Sequence, residues 1–136
     1  MAFVMNYSGA TATLGIAFAA SGVLFPFFSP LLGWLGVFLT GSDTSSNELF
    51  GSMQAVTAEH LHFSPVLMAA ASSSGGVMGK MVSLQTIVIA GAATGMPQRD
   101  QAKLFRFTLK HSVGLVVAIG IEVLLYAYVF TPRVSY

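Results

Sequence analysis

The sequence predicts an all-α integral membrane protein, and three observations carry that reading. Hydrophobic residues make up 54% of the 136 and charged residues only 8%, whereas soluble domains average about 25% charged. Apolar runs of membrane-spanning length lie near both ends of the chain. Between them are two apolar segments, each interrupted by Ser, Thr, Asn and Gly. A core of this composition has almost no polar shell to cover it, in keeping with a mean hydropathy of +0.75. The net charge of +1 argues against a nucleic-acid partner. The absence of cysteine excludes disulfide frameworks and thiolate metal sites. His60, His62 and His111 have no zinc spacing, and His60 and His62 fall on different faces of a helix. Neither enzymatic activity nor a cofactor is expected.

The first span is expected over residues 1–28, with its continuous apolar run at 10–28. Nineteen residues make about 28 Å of helix, close to the ~30 Å hydrocarbon core. Pro26 and Pro30 are expected to close it. No basic cluster precedes this run, so the start does not read as a signal peptide. The abrupt start and the few spans point to a piece of something larger.

Residues 31–58 predict a re-entrant hairpin. Apolar arms at 31–40 and 49–58 flank the polar tip Gly41-Ser42-Asp43-Thr44-Ser45-Ser46-Asn47-Glu48. Each ten-residue arm reaches about 15 Å, half a bilayer. Irregular backbone at that depth requires burial in protein or a cavity. Residues 63–95 predict a broken span, with half-helices at 63–72 and 84–95 and an unwound stretch at 73–83. As one straight helix this segment is ~50 Å long, too long without strong tilt. Pro65 suits the first turn of its opening half.

A basic loop is expected at residues 96–111, carrying Arg99, Lys103, Arg106, Lys110 and His111 against Asp100. The last span follows at 112–130, with Tyr126, Tyr128 and Tyr136 at the far interface. Basic loops stay in the cytoplasm, so the last span runs outward, the broken span inward, and the hairpin opens to the outside. There is no long linker and no soluble domain.

Lys80 is the most informative residue, because a lysine near the bilayer centre costs about 3 kcal/mol on insertion scales. It lies at the expected break, beside Ser73, Ser74, Gly75 and Gly76. The tip residues Ser42, Asp43, Thr44, Ser45, Ser46 and Asn47 have matching chemistry. Half-helix N-termini attract anionic groups, and opened carbonyls hold cations, so the two regions together form a candidate substrate site. Lys80 either binds a carboxylate substrate or pairs with Asp43 or Glu48. Asp43 and Glu48 are the candidate proton carriers. The competing reading of the tip is an exposed loop between interfacial helices. Gly75 and Gly79 serve unwinding, packing or both, Gly91 and Gly95 packing. Glu122, inside the last span, reads as structural rather than functional.

The motif residues resemble a known family. The run Gly33-Trp34-Leu35-Gly36-Val37-Phe38-Leu39-Thr40-Gly41-Ser42-Asp43-Thr44-Ser45-Ser46-Asn47, then Leu49-Phe50-Gly51, is similar to the signature of bacterial L-lactate permeases. So are Ser64-Pro65-Val66-Leu67-Met68, Ser73-Ser74-Gly75-Gly76-Val77-Met78-Gly79-Lys80-Met81, the run from Leu104 to Ser112, and Phe3-Val4-Met5-Asn6-Tyr7-Ser8-Gly9. The resemblance implies proton-coupled symport of lactate, and often glycolate, across the bacterial inner membrane. It also implies the C-terminal part of an ion-transporter-type inverted-repeat fold, in which sites form between repeats. Members are several times longer, so the missing N-terminal spans are expected partners, with the lipid bilayer, protons and a small 2-hydroxy monocarboxylate. The alternative is a membrane-embedded interaction subunit or an inactive gene fragment.

Overall fold

The computed structural model describes residues 20–130, together with 7–9 and 13. Most of the expected first span, and Tyr136, lie outside the described residues. After a 3-10 turn at Gly22–Leu24 come five helices: α1 (Phe25–Thr40), α2 (Asp43–His60), α3 (Pro65–Lys80), α4 (Leu84–Thr94) and α5 (Gln98–Val129). Three stretches are long and apolar enough to cross a membrane: Gly22–Thr40, Pro65–Thr94 taken across its break, and Gln98–Val129. The chain is therefore a multi-pass, all-helical membrane protein, and α2 is the polar helix of the set.

Pro26 and Pro30 do not close a helix. Pro26 stands at the start of α1, where no N–H is needed, and Pro30 lies within its second turn. The hairpin arms are accordingly longer than expected. α1 has 16 residues and α2 has 18, about 24 and 27 Å. The polar tip shrinks to Gly41 and Ser42. Gly41 takes the left-handed C-cap position at φ 71°, which glycine adopts without steric cost. Ser42 caps α2, its hydroxyl accepting from the Ser45 N–H at 3.3 Å. Asp43 through Glu48 are thus the first turns of a helix, where an Asp complements the dipole.

The break in the third segment is also shorter than expected. Residues 73–79, with their serines and glycines, stay helical, and only Met81, Val82 and Ser83 separate α3 from α4. The glycines serve packing. A Cβ at Gly75 would collide with the Pro30 carbonyl, one at Gly79 with Trp34 backbone, and one at Gly33 with Ser72 backbone. α1 and α3 therefore run parallel with their backbones touching, the close approach that small residues permit between membrane helices. The basic stretch is not a loop either. It forms the first turns of α5, whose 32 residues extend about 48 Å.

One core joins α1, α2, α3 and α5 at the end where Phe25, Ala58, Phe63, Met68, Val123 and Ala127 meet. Beside it, the buried Gln54 amide donates to the Ser29 carbonyl (3.1 Å), and the Ser29 hydroxyl donates at 2.5 Å to Gln54 Oε1 and also approaches the Met68 carbonyl (2.9 Å). Further along, Trp34 Nε1 donates to Ser112 Oγ (2.7 Å), which donates to the Met78 carbonyl (2.5 Å). Interhelical hydrogen bonds of this kind are worth about 0.6–2 kcal/mol each in membranes.

Candidate functional site where four helix ends meet

The α1–α2 turn lies against the α3–α4 break. Lys80 Nζ donates to the Gly41 carbonyl, and the Gln85 side chain packs against Gly41. Two helix C-termini (α1 and α3) and two N-termini (α2 and α4) therefore converge. α4 begins with its own cap: Ser83 Oγ accepts from the Thr86 N–H at 3.3 Å. A groove of about 680 Å³ opens between these ends, lined by Gly41, Ser42, Asp43, Lys80, Gln85 and Thr86 with Val77 and Met81.

Asp43 is the acid of this groove. Its Oδ2 accepts from Asn47 Nδ2 (3.1 Å) and Ser73 Oγ (3.0 Å). Its Oδ1 is buried with no hydrogen-bond partner and lies against Gly76. Gly76 admits it because a Cβ there would occupy the same space. Of the two alternatives for Lys80, the ion pair with Asp43 or Glu48 is not formed; the ion pair among the described residues is Lys103–Asp100. The ammonium instead neutralises a helix C-terminus, which carries partial negative charge.

Of the residues singled out by sequence, Ser42, Asp43, Asn47, Ser73, Gly76 and Lys80 come together. The others do not. Ser46 is buried facing the Gly33 carbonyl at 3.5 Å. Thr44, Ser45 and Glu48 are exposed on α2. Ser74 turns to the Ala70 carbonyl at 2.9 Å, and Gly75 is sealed against α1. Gln85 and Thr86 were missed. The signal for them is Ser83 directly before an apolar run, an N-cap that places the start of α4.

The level of each residue along α5 follows from its contacts. Ser112 is level with Met78, and Tyr128 with Phe63. Lys80 thus stands level with the start of the apolar run at 112–130 of α5, while it falls in the middle of the Pro65–Thr94 stretch.

The L-lactate permease family model matches residues 1–130. The chain is 61% identical to the glycolate permease of Escherichia coli (strain K12), 55% to the L-lactate permease of Salmonella typhi and 53% to that of Bacillus subtilis (strain 168), each over 130 residues and 96% of this chain. It spans 23% of the length of each of these relatives. No solved structure matches. On the match over nearly its whole length, this chain belongs to the L-lactate permease family.

Proposed function

We propose that this chain is part of a secondary carrier that takes L-lactate, and glycolate, across the bacterial inner membrane together with protons. The Lys80 groove would hold the substrate carboxylate. The observation that carries this is the convergence of a cation and two helix N-termini on one open groove. Relatives named for L-lactate and for glycolate support a small 2-hydroxy monocarboxylate as cargo. In this reading the carboxylate draws Lys80 away from the Gly41 carbonyl and so loosens the α1–α2 turn from the α3–α4 break. Asp43 takes the proton: its Oδ1 lacks a donor, and the Oδ2 contacts hold the carboxyl in place. The hairpin re-enters the membrane as one half of an inverted-repeat pair, and the rest of the site comes from spans outside this chain.

The test uses a chimera in which this chain replaces the matching segment of the E. coli glycolate permease. Labelled lactate and glycolate uptake is measured in vesicles under an imposed pH gradient. Lys80→Ala is expected to lower uptake about 10- to 100-fold, the equivalent of one charged hydrogen bond of 1.5–3 kcal/mol. Unchanged transport in Lys80→Ala and Asp43→Asn alike would sink the site. A second reading, a membrane-embedded subunit without transport of its own, draws on the 23% coverage.

A further inference from the structure

The charge level with the middle of the last span is Glu122, not Lys80. Glu122 lies ten residues beyond Ser112 on α5, about 15 Å further along the helix axis, and about as far from the end of the run. It lines a second groove, of about 670 Å³, between α3 and α5. Val66, Ala70 and Ser74 form the α3 wall, one turn apart; Ile119, Glu122 and Tyr126 lie on the α5 wall. Ala70 and Ser74 are small, and the Ser74 hydroxyl folds back onto the Ala70 carbonyl, so the α3 backbone is within reach of another helix.

Glu122 is the one charged residue lining this groove. Among the described residues it makes no hydrogen bond or ion pair. Lys80, Arg99, Lys103, Arg106 and Lys110 all stand level with Ser112 or beyond it, away from Glu122. A carboxylate at this depth faces a partner or a cavity rather than hydrocarbon. The relatives are about four times as long as this chain, so most helices of such a protein lie outside it. From this charge, depth and groove, we propose that the α3–α5 groove seats a further transmembrane helix, which brings a lysine or arginine to Glu122. The inference rests on family membership and is independent of the Lys80 site.

The test is a photo-crosslinking map of the same chimera in native membranes, with a benzophenone amino acid at Ala70 and a control at Leu39. The expected result is an adduct from Ala70 to permease sequence outside this chain, on a helix with a basic residue within one turn of the adduct. Glu122→Lys should cut that yield at least fivefold, and exchanging the two charges should restore it. Adducts to lipid alone, to a second copy of this chain, or to a helix without a basic residue would overturn the proposal. So would a yield indifferent to Glu122→Lys. If that variant fails to insert, the parent adduct map and Glu122→Gln, expected to lower the yield at least twofold, decide the matter. The crosslink is read without transport, so its failure leaves the uptake result standing, and the reverse.

Discussion

Asp43 and Glu48 have the same chemistry and sit five residues apart on α2, yet the structure gives them different surroundings. Asp43 is half-buried, with Asn47 and Ser73 on one oxygen and Gly76 against the other. Glu48 is exposed on a face that turns away from the groove. On the proposed reading the proton is exchanged at the substrate groove, and of the two acids only Asp43 lines it. Asp43→Asn in the chimera should therefore abolish uptake driven by a pH gradient, while exchange of labelled for unlabelled lactate survives. Glu48→Gln should change both by less than about twofold, as surface substitutions usually do. Gradient-driven uptake and exchange, measured side by side, check the pair. Equal losses in the two variants would remove Asp43 from its role. The sequence marked both acids because both lie in the polar stretch; it could not separate them, because burial depends on how α2 packs against α3.

At the scale of elements, the glycines decide which helices touch. Gly75 on α3 lies against the Pro30 carbonyl, whereas Gly51 in the middle of α2 has nothing within 4 Å of the place its Cβ would take. Gly51→Ala should therefore stabilise the protein by about 0.5–1 kcal/mol, the helix-interior difference between the two residues. Gly75→Ala carries the same propensity gain but forces α1 and α3 apart, at an overpacking cost of about 1–3 kcal/mol. Thermal unfolding of the isolated chain in detergent should place the two melting points on opposite sides of the parent. This contrast explains where the elements were legible and where they were not. The helical class, a polar turn after Thr40 and the presence of a break near Lys80 followed from apolar runs and polar interruptions. The extent of the break did not. The serines and glycines of residues 72–79 are poor helix formers taken singly, but close packing on α1 outweighs propensity. The true break shows instead as Ser83 capping α4. The basic stretch was read as a loop because it is polar, although an uninterrupted polar stretch continues a helix as readily as it ends one.

For the whole molecule, what matters is how much helix surface remains uncovered. α5 is apolar enough to span a membrane, yet only 22% of its most apolar window is buried, and Leu115, Ile121, Leu125 and Val129 all face outward. The Lys80 groove is likewise open, walled by four helix ends with nothing opposite them among the described residues. A carrier alternates access by moving one part of a fold against another around a shared site, and on the proposed reading this chain supplies only one side of that site. The 136-residue chain reconstituted alone should therefore insert stably, since α1, α2, α3 and α5 share a core, but should show no pH-driven lactate accumulation. The chimera, with the remainder of the glycolate permease supplied, should accumulate lactate in the same vesicles. Circular dichroism of the reconstituted chain separates a folded but inactive protein from an unfolded one. Passive, gradient-independent lactate flux through the chain alone would point to a channel and count against the carrier. Pumping by the chain alone would mean that copies of it supply the opposite wall of the Lys80 groove.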